Sequence, residues 1–174
     1  MTAPRPEPAM REENNENMHA GARVGTERDV RTLVQLYRAS LEGLFCERGG
    51  TVYLLKEAFP EPLEPHFAAI VHDDQWLVLL GTFDDVPVGL AVARLDEMPD
   101  STFLATVEVV YVDPAAREAG IKERLLKAAL DWAARRGATG VDVDVLPGMR
   151  ASKSVLESSG FVARLLVMHQ RLNQ

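Results

Sequence analysis

Residues 107–122 read Val-Glu-Val-Val-Tyr-Val-Asp-Pro-Ala-Ala-Arg-Glu-Ala-Gly-Ile-Lys, and they constrain the chain more than any other segment. The run from Phe103 to Val112 is rich in β-branched and aromatic residues and predicts a long strand. Asp113-Pro114 ends it. Ile121, Leu125, Ala129, Trp132 and Ala133 then share one helical face, so a helix begins at or near Gly120, with Gly137 as its stop. The first turn of such a helix carries unpaired backbone N–H groups and the positive end of the dipole. Small residues before it let an anion come close. Arg117 adds a fixed positive charge able to pair with phosphate.

The rest of the chain fits a mixed sheet around this unit. Ala22-Arg23-Val24 predicts a short strand, and Thr26 to Asp29 an N-cap with an acidic third position. Val30, Leu33, Val34, Tyr37, Leu41 and Leu44 follow at helical spacing. From Cys46 to Pro65, two adjacent glycines and three prolines predict turns around the apolar piece Val52 to Leu55, and His66 to His72 a short helix. Trp76 to Phe83 and Val86 to Leu95 predict a hairpin turned at Asp84-Asp85. Val141 to Val145 alternates like a strand. Met149 to Ser159 predicts a helix closed by Gly160, and Phe161 to Leu172 a last strand or pair of strands. The order β-α-(α)-β-β-β-α-β-α-β runs an antiparallel meander into a βαβ crossover. The expected class is therefore α/β, with a mostly antiparallel sheet flanked by helices. Residues 1–21 have almost nothing apolar to bury and read as a disordered leader, within which Met10 and Met18 are alternative start codons. Residues 22–174 are expected to form one domain.

Composition narrows the classes of function. A net charge of −7 argues against nucleic acid as a main ligand and is compatible with a cationic amine. No apolar run approaches the ~20 residues that span a bilayer, and the N-terminus has no apolar signal core. The single cysteine, Cys46, permits no intrachain disulfide, which fits a cytoplasmic protein and a packed or surface thiol. His19, His66, His72 and His169 have no metal spacing, so no metal is expected. There is no Gly-x-Ser-x-Gly elbow, no Gly-x-Gly-x-x-Gly and no P-loop.

The strand ending Val112-Asp113-Pro114, the loop Arg117-Glu118-Ala119-Gly120-Ile121-Lys122 and the later Gly160-Phe161 together resemble the GNAT acetyltransferase superfamily. The resemblance covers about Ala22 to Leu172 by element order. It implies an acyltransferase that moves an acetyl or other acyl group from acetyl-CoA, or a related acyl-CoA, to a primary amine of a small molecule or protein. The backbone of Val110, Tyr111 and Val112 would then pair with the pantetheine amides as an added strand does. The N–H groups of Arg117, Glu118, Ala119, Gly120, Ile121 and Lys122 would hold the pyrophosphate, and a backbone N–H near Tyr111 would polarise the acyl carbonyl. A homodimer is compatible with the family.

Three residues depart from the family pattern. Lys122 replaces a small residue; its ammonium either reaches phosphate or its bulk obstructs the loop. Met149 stands where an Asn often contacts the cofactor arm. Leu156 stands where many members have a Tyr that protonates the leaving thiolate. These departures support an alternative, a catalytically degenerate acyl-CoA-binding module. Glu108 is the candidate base, because an ammonium must lose a proton before it attacks a thioester. Pleating alone sets Glu108 opposite Val107, Val109 and Tyr111, unless a bulge shifts the strand. Asp142 and Asp144 are the next carboxylates. With Glu108 as base and no acid, the rate is expected to rise with pH through one ionisation.

Overall fold

The computed structural model describes residues 19–172. Most of the expected leader, residues 1–18, lies outside the described residues. Its last part does not: β1 spans Ala20–Val24 and pairs antiparallel with β2, Trp76–Phe83, from Ala20↔Phe83 to Val24↔Leu79. The strand starts two residues before the expected boundary because a backbone ladder needs no apolar side chain at Ala20 or Gly21.

After β1 the capping sequence works as expected. The Thr26 N–H donates to Asp29 Oδ2 at 2.9 Å, and the Arg23 guanidinium forks onto the same carboxylate at 2.7 and 2.8 Å. Those contacts hold Asp29 far below the usual carboxylate range, Arg23 contributing most. A single 3₁₀ turn, Glu27–Asp29, leads into α1, Val30–Phe45, which buries Leu33, Val34 and Tyr37.

The next segment differs from the turns expected there. Gly50–Glu57 is a helix, α2, and α3 is Leu63–Ile70. Gly49 takes φ 85° at the N-cap, and a Cβ on Gly50 would lie 1.9 Å from the Leu44 carbonyl oxygen. The glycine pair thus marks a sharp corner between two helices. Val52, Tyr53, Leu54 and Leu55 are consecutive rather than periodic, so they carry no helical signature.

β2 turns into β3, Val86–Glu97, through Asp84 and Asp85, both at positive φ (47° and 64°). This is the tight hairpin turn whose backbone twist matches that of the strands. β4, Phe103–Val112, pairs antiparallel with β3. A 3₁₀ turn, Pro114–Ala119, and α4, Ile121–Arg135, then cross over to β5, Ala138–Val143, which pairs parallel with β4. The sheet order is β1-β2-β3-β4-β5. One core lies between the sheet and α1 and α3, around Leu33, Tyr37, Phe67, Leu80 and Leu90. A second lies under α4, around Leu79, Ala91, Ile121 and Leu125, and a smaller one joins Leu95, Ala105 and Ala133. α5, Arg150–Ser158, packs Leu156 inward and ends before Gly160 at φ 90°.

Phe161 to Leu172 forms no strand, contrary to the expectation from sequence. Val162, Leu165, Leu166, Val167 and Met168 are all exposed. Leu165 to Met168 are four apolar residues in a row, so no single face specifies a register. The guanidinium of Arg164 donates twice to the carboxylate of Asp142 on β5, and this fixes the direction of the segment without a ladder.

Candidate active site

β4 carries a bulge at the expected base. Val92 pairs with Val109 and Ala93 with Val107, which leaves Glu108 as the extra residue between them. The bulge changes the phase of the strand. Val107 packs under α4, whereas Val109 packs on the α1 and α3 side. They do not share a face, and the simple pleat expectation for Glu108 is corrected here.

The same place is where β4 leaves β5. Their pairing ends at Val107↔Val143, while β4 continues to Val112 against β3. Beyond Val107 the β5-side edge of β4 therefore has no strand partner among the described residues. Val110, Tyr111 and Val112 lie along this edge, paired on the other side with Ala91, Leu90 and Gly89. A cavity opens in the gap, lined by Val107, Glu108 and Val110 of β4, by Val143 and Asp144 at the end of β5, and by Ser152 and Leu156 of α5 with its N-cap Met149. Lys122 also reaches into it.

Glu108 is half-buried, and desolvation raises its pKa. Arg94 opposes that rise: its Nε donates to Glu108 Oε1 at 3.2 Å, and its Nη2 lies 3.3 Å from Asp96 Oδ2. The guanidinium also sits 5.8 Å from the ring centroid of Trp76. Sequence reading does not select Arg94, although a signal exists, since it is the lone cation in the apolar strand next to Glu108. Tyr53 escapes sequence reading as well. Burial raises its phenol to about 12, with Asp144 and Glu108 among its electrostatic neighbours. It lies on α2, the helix hidden by the Gly49-Gly50 corner.

Residues 114–119 form a 3₁₀ turn rather than an open loop. The Asp113 carboxylate accepts the Ala115 N–H at 2.8 Å, and the Asp113 carbonyl accepts the Ala116 N–H at 2.9 Å. A 3₁₀ turn spends N–H groups on bonds three residues back, so part of the Arg117 to Ala119 set is committed internally. Gly120 then takes φ 69°, a left-handed value that suits glycine, and redirects the chain into α4. The first residues of α4, Ile121, Lys122 and Glu123, precede the bond that Arg124 N–H makes to the Gly120 carbonyl at 3.3 Å. Ile121 is fully buried under the sheet, and Arg117 and Glu118 are exposed. The Arg117 side chain makes no hydrogen bond or ion pair among the described residues.

Lys122 turns inward. Its Nζ lies 2.8 Å from Ser152 Oγ on α5, and burial lowers its pKa. Asp142 is held by Arg164, which keeps its carboxyl low, while Asp144 faces the cavity. His66 packs against Phe59, Phe67 and Trp76 with a buried Nε2 that has no hydrogen-bond partner among the described residues. His72 lies 3.7 Å from Glu27 at the surface, and Cys46 is an exposed thiol. No described helix is long and apolar enough to cross a membrane.

This architecture recurs in solved structures of low sequence identity. The aminoglycoside N-acetyltransferase AAC(6')-Iy in complex with CoA superposes with a TM-score of 0.70 at 19% identity, covering 92% of this chain and 99% of that one. The aminoglycoside acetyltransferase meta-AAC0020, from an uncultured soil metagenomic sample and bound to sisomicin, gives 0.65 at 20% identity, with 89% and 96% covered. A tetramutant of the BH1408 protein from Bacillus halodurans gives 0.72 at 18% identity, with 87% and 99% covered. No curated protein sequence matches the chain. The profile of the acetyltransferase (GNAT) family matches residues 33–161, from the first buried leucine of α1 to the phenylalanine after Gly160. That span contains the bulge, the β4–β5 gap and the turn into α4, and the chain belongs to the GNAT acetyltransferase family.

Proposed function

We propose that the chain transfers an acyl group, acetyl in the simplest case, from acyl-CoA to a primary amine. The observation that carries this reading is the gap between β4 and β5, with Glu108 at its bulged end. An unpartnered strand edge suits an extended chain carrying amides, which the backbone of Val110, Tyr111 and Val112 would pair. The N–H groups of the first turn of α4 and the unpaired Arg117 suit a pyrophosphate. Gly120, Ile121 and Lys122 would supply backbone N–H groups to it, with Glu118 and Ala119 in the turn before them. Glu108 takes a proton from the acceptor ammonium, and the free amine then attacks the thioester carbonyl. Its raised pKa makes it a better base than an ordinary surface carboxylate, and Arg94 holds one of its oxygens. Isothermal titration with acetyl-CoA, followed by thiol release over a panel of amines, tests the reading. Aminoglycosides belong in that panel because two structural neighbours are aminoglycoside acetyltransferases.

One feature favours a second reading, an acyl-CoA-binding module without turnover. Leu156 presents an apolar side chain to the cavity from α5, where it offers no proton. Tight binding of acetyl-CoA with no thiol released by any amine would select that reading.

Arg117→Glu is expected to weaken CoA binding by ~1–3 kcal/mol, since it replaces a charge-assisted contact with repulsion. Titration calorimetry reads this directly. The side chain is exposed and without a described partner, so the variant should keep its fold. Unchanged affinity would remove Arg117 from the site.

A further inference from the structure

The chain leaves one sheet edge and one strand-like segment without partners. β5 is the last strand in the order β1-β2-β3-β4-β5, so its outer edge has no ladder among the described residues. Residues 161–172 read Phe-Val-Ala-Arg-Leu-Leu-Val-Met-His-Gln-Arg-Leu and form no helix or strand. The Phe161 N–H donates to the Leu156 carbonyl at 3.0 Å, and no other backbone–backbone hydrogen bond involves this segment among the described residues. We propose that residues 161–172 of one copy of this chain pair as a strand with the outer edge of β5 in a second copy, in a reciprocal two-fold dimer.

The apolar content of the segment needs a cover that one copy does not supply. Val162, Leu165, Leu166, Val167, Met168 and Leu172 are exposed, the least exposed of them, Leu165, at 73%. In an extended chain Leu165 and Val167 face one way, and Leu166 and Met168 the other. A strand apolar on both sides is of the kind covered on both, and monomers rarely leave a contiguous apolar stretch in water. Residues 1–18 offer little cover, since their apolar side chains are only alanine and methionine.

Charge selects the occupant. Residues 161–172 carry Arg164, His169 and Arg171 and no carboxylate, so two such segments laid side by side gain no opposite-charge pair. β5 carries Asp142, with Asp144 just beyond its end, whereas β1, at the other margin of the sheet, has no acidic residue. The basic segment therefore matches the β5 edge, and matches neither itself nor β1. Arg164 shows the contact in miniature: its Nε donates to Asp142 Oδ1 at 2.7 Å, and Asp144 also attracts the guanidinium. Side chains alone make that contact, so the same pair can form between copies. At ~3.3 Å per residue, the extended segment is longer than β5 and can pair along all of it. Each copy has one such segment and one such edge, so a two-fold exchange uses both and closes. The contact uses no group assigned above to CoA or to proton transfer, and it lies on the strand that borders the cleft.

Sedimentation velocity on the full chain across the micromolar range tests this, and wild type is expected to run as a dimer. Arg164→Asp and Asp142→Arg each set like charges against one another, so each variant alone should dimerise at least ~10-fold more weakly. An equimolar mixture of the two should dimerise like wild type. Across a mixed pair the introduced aspartate of one chain meets the introduced arginine of the other, and native Arg164 meets native Asp142. Mixing cannot repair a contact confined to one chain, so a mixture that stays as weak as its components overturns the inference. Val167→Glu alters a side chain that is 79% exposed in the single chain. It should keep the wild-type far-ultraviolet circular dichroism and sediment as a monomer, which keeps the test open where a charge-reversal variant does not fold. Amides of residues 165–168 should exchange slowly in the wild-type dimer and fast in Val167→Glu. A monomeric wild type overturns the inference, as does a dimer that Val167→Glu leaves intact. Slow exchange of residues 165–168 in monomeric Val167→Glu would place the strand on its own β5 and overturn it as well.

Discussion

Glu108→Gln is expected to lower kcat by ~10²–10⁴-fold at neutral pH, with CoA affinity nearly unchanged. Glutamine keeps the shape of the side chain, and its amide oxygen can still accept from Arg94 Nε, so the bulge and the β3–β4 ladder should survive. Only the capacity to take a proton is lost. In wild type the rate should rise with pH through an ionisation above the ordinary carboxylate value of about 4.3, because burial disfavours the charged form. Arg94 favours that form. Arg94→Met should therefore raise the Glu108 pKa further and move the rising limb to higher pH, without removing it. A Glu108→Gln enzyme with full activity across the pH range ends the assignment, and Asp144, which faces the same cavity, becomes the carboxylate to test.

Gly81→Val is expected to destabilise the fold by ~3 kcal/mol, the upper end of overpacking costs in a well-filled core. Gly81 faces Gly89 across β2 and β3, and the pair leaves a flat patch on which α4 lies. A Cβ at position 81 would sit 2.5 Å from Ile121 Cγ2 and 3.1 Å from Leu125 Cδ1. Both residues are fully buried, so neither has room to withdraw. Ile121 is also the first residue of α4. Displacing it moves the turn proposed to hold pyrophosphate, and CoA affinity should fall with stability. Denaturant midpoints for Gly81→Ala and Gly81→Val check the graded cost. A valine variant within about 0.5 kcal/mol of wild type, a value typical of inconsequential surface changes, would contradict this packing account.

Much of this arrangement is legible in the sequence. The alternating and β-branched runs locate β2, β3 and β4, the apolar stripe from Ile121 to Ala133 locates α4, and Gly137 stops that helix at φ 77° as expected. Glu108 and Lys122 stand out by their place in one motif, and both line the cavity. What stays hidden depends on contacts between distant segments. The bulge at Glu108 exists only in the pairing of β4 with β3, which a single strand does not encode. α2 is held by a corner at Gly50 and by no periodic stripe, so its glycines read as a turn. The inward direction of Lys122 needs Ser152, far along the chain on α5, as its partner. Phe161 to Leu172 has the residue types of a strand, but with four apolar side chains in succession nothing sets one face inward.

The path of the chain through the sheet also orders its assembly. Phe83 meets Val86 across a two-residue turn, and β4 follows β3 through a short loop, so the central meander closes small loops and gains contacts early. Ala20 must find Phe83 across the whole helical segment, and β5 can dock only after α4 has folded back. Both margins of the sheet are expected to add late, and one of them borders the cleft. Slow amide exchange is therefore expected to concentrate in residues 76–112, with β5 and α5 opening at lower free energy. Uniform protection across all five strands would show that the sheet opens only as a unit. With separate opening, the cleft can gape by local unfolding of one margin while the meander that carries Glu108 stays intact.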